Sequence, residues 1–392
     1  MVETSRSASG VLGLAGRLPA RTPTELTSGF RLAGHALPLI SPVRMYICGI
    51  TPYDVTHLGH AATFVWADAA AAVARLCGAK VITCRNVTDI DDVLMQTAAI
   101  RQRYYDEYAL VQESIFEQDM SALRVRRPAH EPRSRYYVDH VVQLAGALMA
   151  RGRAYERDGR VYFRGDAVPA MAGIDRGDAL RLAADYGDQP TDPQRDDPFD
   201  VAVWRPSSPS DPAWPSPWGW GRPGWHAECA AMAIAVLGTS IDVVAGGADL
   251  AFPHHAYQAA MVEAATGITP FTRGRLPVGT VHRDGVKIAK STGNLVLVGD
   301  MLREYSPAAV RLLLLDRPWA ANWDYRPAHL AAAADRLDRL YSTAATPAAT
   351  TSATTAMTRL LADNLDVPAA LDLAEDAGGE TARLLLRTLG LD

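Results

Sequence analysis

Residues 43–89 read VRMYICGITPYDVTHLGHAATFVWADAAAAVARLCGAKVITCRNVTD, and this stretch decides the fold. VRMYIC (43–48) is an apolar run of strand length that stops at Gly49. A Gly/Thr/Pro turn, GITPYD, follows. HLGHAATFVWADAAAAVARLCG then carries apolar residues at helical spacing up to Gly78, which suits a C-cap. KVITCRNVTD reads as a second strand. Strand, helix and strand in such short order make a βαβ unit, and that implies a parallel sheet.

Working outward, residues 1–40 carry no clear period and read as an irregular lead-in with room for one edge strand. Residues 92–155 are helical in pattern, with amphipathic stretches such as YYDEYALVQESIFEQDMSAL and YYVDHVVQLAGALMARG. DGRVYFRG reads as a strand in a hairpin with RAYER. Residues 166–223 are crowded with Pro, Gly and Asp around the strand-like DVAVW. WHAECAAMAIAVLG reads as a helix, SIDVVAGG as a strand and HHAYQAAMVEAATG as a helix, and LPVGTVHRDGVKIAKSTGN alternates strand and turn. After Asp300 the chain is helical almost to its end, with ATPAATTSATTA as the best linker candidate. The sheet is therefore split between about 41–95 and about 200–300, with an insertion over about 96–199.

The totals exclude several classes. The chain has 392 residues, 48% of them apolar and 21% charged, which suits two or three folded domains rather than a disordered chain. No apolar run approaches the ~20 residues of a membrane span, and residues 1–20 lack a signal-peptide core. Four cysteines in this length make no disulfide framework, so free thiols or metal ligands in a reducing cytoplasm are expected. A net charge of −5 argues against a broad nucleic-acid surface. Of 39 basic residues only Lys80, Lys287 and Lys290 are lysine. In a chain that has drifted so far toward arginine, a surviving lysine is a candidate for a place where a guanidinium does not serve, and Lys287 and Lys290 lie within four residues.

Two motifs carry chemistry. HLGH (57–60) opens the first helix, where two imidazoles, the backbone N–H groups and the helix dipole can together hold a phosphate. Histidines at a helix start also occur simply as caps. KIAKSTGN (287–294) is a polar loop with two ammonium groups, compact mobile charges able to follow a phosphate; the bland alternative is a solvated turn. Asp89, Asp91 and Asp92 read as a capped, solvated loop, and Trp214, Trp218 and Trp220 as a stiff wall.

The pair HLGH and KIAKS resembles the HIGH and KMSKS signatures of class I aminoacyl-tRNA synthetases. With MYICGITPYDVTHLGH, RNVTDIDD, SPWGWGRPGWHAEC, GGADLAFPHH and KIAKSTGN in this order, residues of roughly 40–330 resemble the cysteinyl-tRNA synthetase family. GITPYDVTHLGHAATF is closer to that family's cysteine:glucosaminyl-inositol ligase branch, from mycothiol biosynthesis. The resemblance implies an α/β fold: a class I synthetase-type Rossmann (HUP) catalytic domain over 41–300 with a split parallel sheet and a helical insertion, then a helical C-terminal domain over 301–392. No anticodon-binding domain is expected, since about 98 residues follow the KIAKSTGN loop.

The implied reaction joins L-cysteine to ATP, with Mg²⁺, as cysteinyl-AMP, and passes the cysteinyl group to the amine of glucosaminyl-inositol. One Zn²⁺ per chain is implied at Cys48, Cys229 and His254. The synthetases' fourth ligand falls at Gln258, a poor zinc ligand, so substrate is expected to complete the shell. The resemblance also implies that Thr51, Thr88 and Trp225 surround the cysteine, that Thr63, Asn86, Gly247 and Asp249 meet the adenylate and Val281 the adenine, and that Cys48, Gly49, Ile50, Val87 and Ala248 are further substrate or adenylate contacts. It implies that His57, His60, Lys287 and Lys290 stabilise the leaving pyrophosphate. Expected partners are small molecules, with no tRNA and no membrane, in a cytoplasmic monomer. The branch's usual ERGGDP stretch corresponds here to DYGDQP (185–190), and the KMSKS place reads KIAKS. Those departures keep open a paralogue of specialised metabolism serving another small-molecule or carrier amine. A cysteinyl-tRNA synthetase and a non-catalytic synthetase-like protein are the remaining alternatives.

Overall fold

The structure is a computed structural model that describes residues 29–53, 55–209, 211–289, 292–347 and 351–392. The described part of the lead-in is a hairpin, β1 (Arg31–Leu32) with β2 (His35–Ala36), that seats Phe30, Leu32, Leu37 and Leu39 in the main core. The decisive stretch forms β3 (Val43–Ile50), α1 (Leu58–Leu76) and β4 (Val81–Val87), and β3 and β4 pair in parallel. Helix α1 is apolar on nearly every side because both sides are covered, from Ala61 to Ala74. It lies between the sheet and the C-terminal helices.

The insertion begins with α2 (Asp92–Ile100), α3 (Tyr105–Ala122) and α4 (Val138–Ala150). The expected hairpin follows as β5 (Ala154–Arg157) and β6 (Arg160–Phe163), and then α5 (Arg176–Asp185). One expectation needs correction here. DVAVW, assigned above to the second half of the parallel sheet, is β7 (Val201–Pro206), and it joins an antiparallel sheet in the order β5-β6-β7-β8, where β8 is Gly221–Pro223. A short apolar run looks alike in either kind of sheet, and only its partner decides.

The second half of the parallel sheet therefore starts later, with α6 (Trp225–Leu237), β9 (Ile241–Gly247), α7 (Ala256–Thr266) and β10 (Thr272–Val278). The four-stranded order is β10-β9-β3-β4, all parallel. From β3 the chain crosses to β4 on one side, and from β9 to β10 on the other. The strand order thus reverses between β3 and β9, the place where open α/β sheets hold ligands at the carboxyl ends of their strands.

The small strands β11 (Val281–Arg283) and β12 (Val286–Lys287) form a hairpin, and β11 also pairs with β13 (Trp323–Asp324). That places a two-residue strand inside the segment expected to be helical almost to its end. The remaining elements are α8 (Val298–Glu304), α9 (Pro307–Leu315), α10 (Pro327–Ala344), α11 (Thr351–Ala362), α12 (Val367–Ala377) and α13 (Gly379–Leu389). The linker candidate falls partly outside the described residues. Its described portions are the end of α10, a turn and the beginning of α11, so it joins two helices that both pack on α12 and α13.

One apolar core runs from Phe30 through α1 to Leu391. Arg311 of α9, buried within it, pairs with Asp68 of α1 and donates to the carbonyls of Leu123 and Leu389. A guanidinium so satisfied ties the C-terminal helices to the first helix and to the insertion, and removing either partner would strand a buried charge. No described helix is long and apolar enough to cross a membrane.

Candidate functional site

A cleft of about 640 Å³ opens at the carboxyl ends of the parallel strands. Its walls include Cys48 to Thr51 at the end of β3, Asn86 and Thr88 at the end of β4, Gly247 and Asp249 at the end of β9, and Val278 to Val281 at the end of β10. At the end of β3 the backbone must pass very close to β4. A Cβ on Gly49 would lie 1.7 Å from the Asn86 carbonyl oxygen, so only glycine fits. The Asn86 side chain accepts from the Gly49 amide at 2.9 Å, and the hydroxyls of Thr51 and Thr88 meet at 2.8 Å. Thr88 also donates to the Ile50 carbonyl at 3.1 Å.

Cys48, Cys229 and His254 converge at one end of the cleft. They come from β3, from α6 and from the irregular turn Ala251–His255 before α7, and their ligand atoms all lie within 4.8 Å of one another. All three are buried. Two thiols and an imidazole at this spacing fit a tetrahedral zinc ion and leave a fourth position. Without a metal, burial holds the Cys48 thiol well above its ordinary range and keeps the His254 imidazole well below its own.

Gln258 lies one turn beyond His254. Its amide donates to the Cys229 carbonyl at 3.3 Å, which leaves Oε1 buried without a partner. Trp225, the first residue of α6, stacks on His254 at 4.1 Å between ring centroids.

At the other end, His57 caps α1 by accepting from the Gly59 amide at 3.1 Å. His57 and His60 stack at 3.8 Å. Burial, helped by the nearby Lys287 ammonium, pushes the His60 imidazole down to about 4. Lys287, half exposed, pairs with Asp249. Thr63 lines the cleft and donates to the Gly59 carbonyl at 3.3 Å. Lys290 lies outside the described residues.

Several expectations change. Val87 is buried away from the cleft, because 86 and 88 face it and a strand alternates its side chains. Ala248 does not line it either, although its neighbours Gly247 and Asp249 do. The three aspartates are not a solvated loop. Asp89 is fully buried against Arg135, Asp92 pairs with Arg205 and Arg222, and Asp91 caps α2 by accepting from the Val93 amide at 2.8 Å. Of the tryptophan wall, Trp218 packs on Trp204, whereas Trp220 is 68% exposed.

Three residues escaped the sequence reading. His255 places Nε2 at 3.1 Å from the Cys48 sulfur, and His226 places Nδ1 at 2.9 Å from Nδ1 of His254. Burial pushes each of these imidazoles down to about 4. Tyr186 stacks on Trp225 and donates to the Asp249 carbonyl at 2.9 Å. The doublet HH and the pair WH were visible signals for the first two. The third lies in DYGDQP, which the sequence marks only as a departure from the ligase branch.

Comparison with known proteins follows the same lines. Residues 39–335 match the family described as tRNA synthetases class I (C) catalytic domain. The chain is 42% identical over 341 residues to a protein of Parafrankia sp. named L-cysteine:1D-myo-inositol 2-amino-2-deoxy-alpha-D-glucopyranoside ligase, covering 86% of this chain and 77% of that one. A protein of Acidothermus cellulolyticus with the same name is 41% identical over 368 residues, covering 92% and 91%. Among solved structures, Mycobacterium tuberculosis methionyl-tRNA synthetase in complex with methionyl-adenylate is similar in fold, with a TM-score of 0.60 at 17% identity over 90% of this chain and 82% of that one.

Proposed function

The chain belongs to the class I synthetase catalytic-domain family of the cysteine type, and from that premise we propose that it is an ATP-dependent ligase joining L-cysteine to the amine of glucosaminyl-inositol. The observation that carries this reading is a single cleft with a Cys/Cys/His cluster at one end and paired histidines with a lysine at the other.

The reaction has two steps. The cysteine carboxylate attacks the α-phosphate of ATP, with Mg²⁺, and pyrophosphate leaves. The acceptor nitrogen then attacks the carbonyl carbon of cysteinyl-AMP, the bond to the phosphate oxygen breaks, AMP departs and the amine loses its proton.

In this reading Cys48, Cys229 and His254 hold one zinc ion. Bound there, zinc would supply a Lewis acid that favours a thiolate over a serine hydroxyl, a discrimination that shape alone gives poorly. His255 orients Cys48 from behind, as partners of metal ligands commonly do. Trp225 closes one side of the cysteine pocket, and Thr51 and Thr88 offer their hydroxyls to the substrate. Asp249 takes the ribose hydroxyls and Val281 the adenine.

His57 and His60 donate hydrogen bonds to phosphate oxygens, His60 as a neutral imidazole. Lys287, held over the cleft by Asp249, is released to follow the departing pyrophosphate, with Lys290 as its proposed companion. Most of the rate then comes from positioning and from charge stabilisation.

ATP–pyrophosphate exchange by the purified chain tests the first step, and it is expected to depend on L-cysteine and to be nearly absent with serine. Equal exchange with serine would overturn the metal reading. Supplying glucosaminyl-inositol is expected to yield the cysteinyl amide. Activation without transfer would favour a ligase for a different amine. That second reading draws on the DYGDQP segment, whose first three residues line the cleft.

A further inference from the structure

The cysteine and adenylate roles use the walls at the ends of the parallel strands, yet the cleft has a further wall that they leave idle. It is the end of α5, where Asp185, Tyr186 and Gly187 face the cavity. Tyr186 is the C-cap residue of that helix, and Gly187 follows at φ +78°, the left-handed turn that stops a helix. The amides of Gly187 and Asp188 close the turn on the carbonyls of Ala184 and Ala183 at 2.9 and 3.2 Å.

The segment is also pinned from behind. Asp188 takes both arms of the Arg195 guanidinium at 2.7 and 3.1 Å, and Arg195 is itself nearly buried, with its guanidinium over the Tyr162 ring. A bidentate pair of this kind fixes geometry as well as charge. The end of α5 is thus a wall rather than a loose loop.

That wall presents two chemistries. The Tyr186 ring lies 5.7 Å from the Trp225 ring at 28° between planes, so two aromatic surfaces adjoin beside the cysteine pocket. Burial and the neighbouring Asp249 push the Tyr186 phenol up, so it stays protonated and keeps donating to the Asp249 carbonyl. Asp185 adds an exposed carboxylate at the rim. The other two carboxylates of the cleft have partners: Asp249 is engaged with Lys287, and Asp91 caps α2.

We propose that Asp185 and Tyr186 form the acceptor subsite and select a primary amine carried on a sugar ring. The Tyr186 face packs against the apolar C–H face of the ring, and the Asp185 carboxylate receives the acceptor's ammonium or hydroxyl groups. The proposal rests on the ligase reading above and deepens it, since it names the residues that choose the amine.

The test compares three amines in the transfer step: glucosaminyl-inositol, D-glucosamine and the acyclic ethanolamine. Each kcat/KM is normalised to cysteine-dependent ATP–pyrophosphate exchange by the same preparation. Tyr186→Ala and Tyr186→Leu are expected to lower normalised transfer to both ring amines roughly three- to tenfold, the range of one aromatic contact, and to leave the ethanolamine ratio in place. Tyr186→Phe is expected to keep the wild-type preference. Asp185→Asn is expected to weaken all three amines.

Equal losses for ring and acyclic amines in both Tyr186→Ala and Tyr186→Leu, or no loss for either ring amine, overturns the proposal. So does a Tyr186→Phe variant that behaves like Tyr186→Ala, because the effect would then belong to the hydroxyl on Asp249 and the adenylate pocket. Absence of cysteine-dependent exchange in the wild-type chain is a different result, and it refutes the ligase reading itself.

Discussion

The two ends of the cleft are built on opposite principles. The Cys48, Cys229 and His254 end is buried and assembled from three elements distant in the sequence. The His57, His60 and Lys287 end is half open, lies close to solvent, and pairs its one described ammonium with a carboxylate it can exchange for phosphate. The difference suits what each end must hold. A thiol is recognised by fixed soft ligands in a shaped pocket. A phosphate that moves during reaction is better met by a mobile charge.

The largest expected effect breaks the buried end. Cys229→Ser is expected to lose bound zinc and to lower cysteine-dependent exchange by more than about a hundredfold, since even partners one step removed from a metal cost that much. Metal analysis alongside the exchange assay checks both. Full zinc content in this variant would show that the cluster is not the metal site.

Next, the open end is challenged at Lys287. Alanine there is expected to cost about a hundredfold in exchange, the order of one lost transition-state donor, and arginine about tenfold, because a rigid fork cannot track the leaving group as an ammonium does. An unchanged rate in Lys287→Arg would end the argument from lysine scarcity.

A milder change sharpens the comparison. Gln258→Glu puts a carboxylate beside the cluster in place of an amide whose oxygen has no partner. It is expected to slow zinc loss to a chelator and to raise the KM for cysteine about tenfold, since a fourth protein ligand competes with the substrate thiol. Tighter zinc with an unaltered KM would separate Gln258 from the substrate position.

The smallest effect concerns pH. His60 sits at about 4 in the folded chain against an ordinary 6.5, so the unfolded chain binds its proton first. Its contribution to stability is complete above about 6.5 and is lost as pH falls toward about 4. Denaturant unfolding at pH 7.5 and 5 is expected to show a smaller acid loss for His60→Asn than for the wild type. Equal losses would mean that His60 titrates normally.

Much of this was legible because it was local. The βαβ unit at 43–89 follows from apolar spacing, and its helix and both strands fall where the pattern puts them. The HLGH cap and the exposed Lys287 could be read from residue type and position. By contrast, Val201–Pro206 reads as a strand, but the sequence does not say which sheet takes it. Asp89 sits in what looks like a polar loop, and only the approach of Arg135 from the insertion turns it into a buried ion pair.

By itself, then, the sequence determined a split α/β fold, the order of its motifs and the residue types at each end of the cleft. The tertiary structure alone decided which of them meet. Cys48 and His255 are 207 positions apart, and Tyr186 reaches Asp249 across 63. No periodicity links such pairs, because their contact depends on two crossovers and an insertion returning to one edge of the sheet. Side-chain patterning records which face of an element is buried; it does not record what will be packed against it.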